Sequence, residues 1–213
     1  MHRLSNLLFI KKELEDAQRK NQSSKVAVLR TEFETTSQAI ESALTQWKPC
    51  LPPKISMRDG VLVVDGAGEE IPEMARLQSI LHNALAYRHS AFVYLYRTIY
   101  SYSPKHKLVQ QHAHTALHHC VETTAARGPM GALLWPLFAA ACEAISVEDR
   151  ELAKKAFSEI EQRQGMTNIE EAWGIIQEVW KRIDSLEDDV TAGTSPDLWR
   201  SVCAEMGVTI VFG

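Results

Sequence analysis

From Glu73 to Tyr102 the chain runs through thirty residues without a glycine or a proline. A helix over this stretch would be on the order of 45 Å long at 1.5 Å per residue, and its second half, from Ala84, is apolar nearly all round. A helix with one apolar stripe can lie on a surface, whereas one that is apolar on every side has to be enclosed by others. Pro72 suits the first helical position, where its missing amide costs nothing. The segment therefore predicts the centre of a helical bundle.

The flanking sequence fits that expectation. A short amphipathic segment around Leu7, Ile10 and Leu14 and a stripe through Leu29, Phe33, Ile40, Leu44 and Trp47 predict N-terminal helices within 1–48, stopped by Pro49, Pro52 and Pro53. Residues 54–72, KISMRDGVLVVDGAGEEIP, combine a β-prone run with DG and GAG turn signals and predict a connecting loop with one small hairpin. Ser103 with Pro104 predicts the start, and Gly128 with Pro129 the end, of a helix over 104–127. In GALLWPLFAAACEAIS, Pro136 either kinks a helix or starts one. Ser146 is placed to cap VEDRELAKKAFSEIEQRQ, with Gly165 as its terminator. Thr167 and Glu170 have capping-box spacing ahead of the cleanest amphipathic stripe, Ile169 to Ile183. SLEDDVTAGTSP reads as an acidic loop, Ser195 and Pro196 as the start of a last helix through Met206, and VTIVFG as a strand-prone tail. With no repeat period and no βα alternation, the expected architecture is all-α: a single domain over 1–213 whose core helices lie in 73–207.

A chain of 213 residues, 45% of them hydrophobic, has ample material for one core. Its net charge of −4, with basic and acidic residues interspersed, excludes a phosphate-neutralising surface. The apolar run at 131–145 is shorter than the roughly 20 residues a membrane span needs, is broken by Pro136 and carries Glu143, so it reads as a core helix. Cys50, Cys120, Cys142 and Cys203 are too widely spaced for a CxxC pair and fit a reducing compartment. The N-terminus turns charged within a few residues of its apolar stretch, unlike a signal peptide.

No GxSxG elbow and no glycine-rich phosphate loop occurs, so no catalytic residue is assigned and no enzyme is expected. QHAHTALHHC places His112, His114, His118 and His119 close together; at 100° per residue His112 and His119 flank one side of the apolar face, His114 and His118 the other. The i, i+4 spacing of His114 and His118 suits two metal ligands, but no HExxH and no third ligand lies nearby, so the expectation is helix histidines without a metal or cofactor. All five tyrosines lie between Tyr87 and Tyr102, together with Phe92, and such a cluster either packs a core or lines a cavity. Arg88, Arg97 and Glu143 sit in apolar helices where an unpaired charge is costly, so Glu143 is expected to meet one of the two arginines across the bundle.

In order and spacing, YRHSAFVYLYRTIY, HKLVQQHAHTALHHC, GALLWPLFAAACEAISVEDR, GMTNIEEAWGIIQEVWKRID and LWRSVCAEMG resemble the C-terminal regulatory domain of fungal binuclear zinc-cluster transcription factors. The resemblance is strongest over 73–207, with LLWPLF and EDR among its most specific pieces. It implies an all-α, non-enzymatic regulator of the nucleus that shuttles from the cytoplasm and meets transcription co-regulators. Some relatives sense sterols through this domain, which implies an apolar small molecule such as a sterol among Phe92, Tyr96, Trp135, Phe138, Trp173 and Trp180. The alternative is a ligand-free scaffold for homodimerisation and co-regulator binding. Family members usually carry a six-cysteine zinc cluster for DNA contact, which four cysteines cannot form. DNA would then be reached only through a cluster absent from this chain, and regulation is the job left to these residues.

Overall fold

A computed structural model describes residues 2–58, 61–64, 74–126, 128–165, 167–185, 195 and 197–210. Helices α1 (His2–Arg19) and α2 (Ser23–Gln46) form a hairpin across a turn at Asn21, whose φ is 52°. The expected β-hairpin is present: β1 (Ile55–Arg58) and β2 (Val61–Val64) pair antiparallel, with Ile55 opposite Val64. Its buried face, Ile55 and Leu62, packs on Leu81 and Leu85 of α3 (Met74–Tyr94). Pro72 and the GAG turn lie outside the described residues.

The long segment does not stay α-helical to Tyr102. At Leu95 it widens into a π-turn, Leu95–Ile99, in which the Tyr100 amide donates to the Leu95 carbonyl at 2.9 Å. The wider turn accommodates a charged residue in a dry stretch: Arg97, only 4% exposed, turns its guanidinium to Glu143 and to the Tyr102 carbonyl. From α1, Lys11 Nζ donates to the Thr98 carbonyl at 2.6 Å and to Ser101 Oγ at 2.7 Å, at the point where φ of Ser101 turns to 57°. A side chain reaching into the backbone ladder in this way is a recognised cause of helix distortion.

Helix α4 (Lys107–Ala125) packs along α3 and starts later than the expected residue 104. Ser103 makes a turn instead, its carbonyl accepting from the His106 amide at 2.9 Å, and His106 takes the cap by accepting from the Leu108 amide through Nδ1. After a 3-10 turn, Met130–Ala132, comes α5 (Leu134–Ala141). Pro136 lies in its first turn, so the apolar run starts a helix there rather than kinking one. This short helix, more than the long α3, occupies the centre: it packs on α3, α4 and the two following helices, and only Ala139 escapes full burial.

Helix α6 (Val147–Gln164) begins as expected, with Ser146 Oγ accepting from the Asp149 amide at 3.0 Å, and ends at Gly165 in the left-handed region, φ 54°. Helix α7 (Thr167–Asp184) lays Ile169, Ile176 and Val179 on the core and fastens to α5 through Trp180 Nε1, which donates to the Ala141 carbonyl at 2.8 Å. Helix α8 (Leu198–Met206) is preceded by a turn in which Ser195 accepts from the Asp197 and Leu198 amides, so the helix starts three residues beyond Ser195. Val208 and Ile210 of the strand-prone tail pack on the helical core without forming a strand. Among the described residues the fold is all-α apart from one hairpin.

Candidate functional site

The π-turn sets the floor of the cleft next to α5. It carries Arg97 under the C-terminal end of α5, where Arg97 Nε donates to Glu143 Oε2 at 2.7 Å with both side chains less than one-tenth exposed. This is the cross-bundle pair expected for Glu143. Arg88 is not its partner, because it donates to the carbonyl of Leu44 at 2.7 Å. Burial pushes the Glu143 carboxyl up, against the opposing pull of Arg97.

Over this pair lies a cleft of about 270 Å³. Leu4 and Ser5 reach it from α1, Tyr87 and Tyr94 from α3, Trp135 and Phe138 from α5, and Trp199 and Arg200 from α8. Its aromatic wall is built from two pairs: Tyr87 stacks on Trp135 with ring centres 5.5 Å apart, and Phe138 meets Trp199 edge-on, also at 5.5 Å. Arg200 lies over the Trp199 ring at 4.6 Å, donates to the Tyr94 hydroxyl at 3.1 Å and pairs with Asp197. Such a recess can hold rings by stacking and offers few unspent polar groups.

Of the six aromatic residues expected around one ligand, Trp135 and Phe138 line the cleft. Phe92 and Tyr96 occupy the opposite side of α3 and stack on each other at 5.8 Å. Trp173 and Trp180 form an edge-on pair at 5.5 Å on the far side of α5, along a shallow surface groove between α6 and α7. The structure thus distributes the six over three places. Trp199 and Arg200 are cleft residues that sequence reasoning passed over, and Tyr87 was counted there only within the tyrosine cluster; the apolar side of the short last helix was the signal available for Trp199.

The histidines divide in the same way. Between α3 and α4, His82 Nδ1 lies 3.0 Å from His119 Nδ1, and His89 Nδ1 lies 2.8 Å from His112 Nδ1. His119 is 5.9 Å from His89, and His112 stacks on Phe92 at 4.4 Å, so the imidazoles and the Phe92–Tyr96 pair form one column. Gln78 fixes its first proton: its Oε1 accepts from the Leu62 amide, so its Nε2 donates to His82 Nε2 at 2.8 Å. His82 then carries its hydrogen on Nδ1 and donates to a bare Nδ1 of His119. Burial pushes His89 down to about 3 and His112 and His119 down to about 4, with His82 lowered as well.

Outside the column, His114 Nδ1 donates to Asp149 Oδ1 at 2.7 Å, and His118 stands edge-on to it at 6.1 Å. Among the described residues no group of three His, Cys, Asp or Glu side chains is arranged to hold a metal. No helix among them is long and apolar enough to cross a membrane.

The sequence decides the family: residues 1–213 match the model described as the fungal specific transcription factor domain. The chain belongs to that family. No curated protein and no solved structure matches it. As a fungal specific transcription factor domain, the chain is a regulatory domain of fungal transcription factors, in a family of nuclear regulators rather than of enzymes.

Proposed function

We propose that this regulatory domain is an effector domain whose cleft takes an apolar small molecule. A sterol is the class raised by the family resemblance, and Trp135 and Phe138 are the contacts. The observation that carries the reading is the position of the cleft: its walls come from the first helix, the last helix and the central α5. An occupant would therefore bias how α1 and α8 sit on the core, and with them the surface offered to co-regulators and the passage from cytoplasm to nucleus. At about 270 Å³ the cleft falls just below the ~300–1,000 Å³ of sites that enclose drug-sized ligands, so a sterol would enter by one end.

The test is a titration of the purified domain with ergosterol carried on cyclodextrin, following tryptophan emission and thermal midpoint. Saturable quenching with a rise in the midpoint is expected; a flat response in both sinks the reading. The ligand-free homodimer scaffold draws on Phe9 and Val28, 63% and 67% exposed on the α1–α2 hairpin. It predicts a concentration-dependent mass by sedimentation that Phe9→Ser abolishes.

A further inference from the structure

We infer that His114 and His118 form a binding site for a zinc-class divalent cation on the outer side of α4, with Asp149 of α6 as the residue that aims the first of them. The site shares no residue with the cleft and stands or falls without it.

The other histidines of α3 and α4 have their Nδ1 atoms engaged. Four pair with one another in the buried column, and His106 caps α4. His118, by contrast, is exposed, and its ring nitrogens have no hydrogen-bond partner among the described residues. His114, with a side chain 44% exposed, donates from Nδ1 to Asp149 Oδ1 at 2.7 Å and has no partner at Nε2 among them. Asp149 is itself buried, and its other oxygen accepts from Ser146 Oγ at 2.8 Å. A fixed carboxylate that holds Nδ1–H leaves the lone pair on Nε2 and raises its basicity, the arrangement that stands behind metal-binding imidazoles.

Spacing meets the second requirement. Residues at i and i+4 lie one above the other on a helix, and the His114 and His118 ring centres are 6.1 Å apart. Two imidazoles on one ion, each at a metal–nitrogen distance of about 2.0–2.1 Å, have ring centres roughly 5–6.5 Å apart. Side-chain rotation alone therefore suffices to seat an ion between them. Imidazole ligands favour zinc, nickel and copper, whereas magnesium and calcium want oxygen. No third protein ligand is in place among the described residues, so water completes the coordination and binding is expected in the micromolar range. Through Asp149 the ion would tie α4 to the start of α6 and raise stability.

Isothermal titration of the purified, chelator-stripped domain with zinc chloride tests this. One zinc per chain and a rise in thermal midpoint are expected, and magnesium chloride should give neither. His118→Ala, at an exposed ring, ends chelation and is expected to weaken zinc at least about tenfold. Asp149→Asn is expected to weaken it about 10–100-fold, whereas His89→Phe with His112→Phe should leave it within about twofold, because the column is not the site. Zinc binding that survives His118→Ala, or that is lost with the column, places the ion elsewhere and overturns the inference. So does the absence of both heat and midpoint shift up to millimolar zinc. An affinity that ignores Asp149→Asn, with native circular dichroism, reduces the histidines to an ordinary exposed pair and overturns it too. Should Asp149→Asn fail to fold, imidazole nitrogen-15 spectra of the native domain decide the same point: His114 should carry its hydrogen on Nδ1, and an Nε2–H tautomer there sinks the assignment.

Discussion

Helix α3 buries polar groups on two faces, and the two faces do so by opposite means. Toward α4 it sets His82 and His89 against His119 and His112, rings that satisfy one another while uncharged. Toward α5 and α8 it turns a full charge inward, Arg97, and answers it with Glu143. Neutral rings that pair through Nδ1 need no counter-ion, so the first face is buried without a charged partner. A buried ion pair has oxygens and protons in excess of one bond, so the second face needs carbonyls, a π-turn and, in our reading, a ligand to complete it. The comparison sets a face closed by neutral pairs against a face closed by a buried ion pair, and the aromatic cleft lies over the second.

The largest break in this contrast should come from the charged face. Glu143→Ala leaves Arg97 buried and uncompensated, and about 3–5 kcal/mol of stability should be lost, measured by urea unfolding. Replacing both partners, Arg97→Met with Glu143→Leu, should recover much of that loss. If the double variant is no better than Glu143→Ala, the pair is not the desolvated contact described above.

The neutral face should break with acid. The folded values of His89, His112 and His119, about 3, about 4 and about 4, lie below the ~6.5 of an unfolded histidine. Between those limits the unfolded chain binds more protons, so stability is fully present above pH ~6.5 and falls as pH drops toward the folded values. From pH 7 to 5 the three rings should together cost on the order of 2–4 kcal/mol, after allowing for the screening of their exposed edges. His89→Phe with His112→Phe should flatten that slope. A slope unchanged in the double variant would place the acid sensitivity elsewhere.

Much of the fold was legible because helices announce themselves through period and punctuation. The Ser146 cap, the Gly165 stop, the hairpin and an arginine partner for Glu143, though not which of Arg88 and Arg97, followed from local chemistry or from the cost of a lone buried charge. What stayed hidden was set by neighbours distant in sequence. The π-turn accepts a hydrogen bond from Lys11, 87 residues away from the carbonyl it binds, and residue spacing within 73–102 carries no trace of it. The candidate ligand set merged three aromatic groups because composition marks aromatics as buried without saying on which side of a helix; Trp135 faces Tyr87 while Phe92 faces His112. Trp199 was missed because its helix is short and its partner, Phe138, lies 61 residues back in the chain.

Two smaller effects sharpen the contrast at its edges. Tyr96→Phe removes the hydroxyl that reaches Glu41 on α2 at 2.9 Å, and Glu41 keeps its bond from the Tyr100 hydroxyl at 3.1 Å. The loss should be about 1 kcal/mol, with the acid slope of the column intact. His114→Ala should do less still. That ring is on the outer side of α4, its side chain 44% exposed, and its Asp149 partner is held independently by Ser146 Oγ at 2.8 Å and by its own capping amide bond. An exposed pair of this kind contributes ~0–1 kcal/mol. The same change at His112, which stacks on Phe92 at 4.4 Å and pairs with His89, should cost more in urea unfolding. If His114→Ala costs as much stability as His112→Ala, then the buried column contributes no more than an exposed pair does, and the distinction between the two faces of α3 loses its basis.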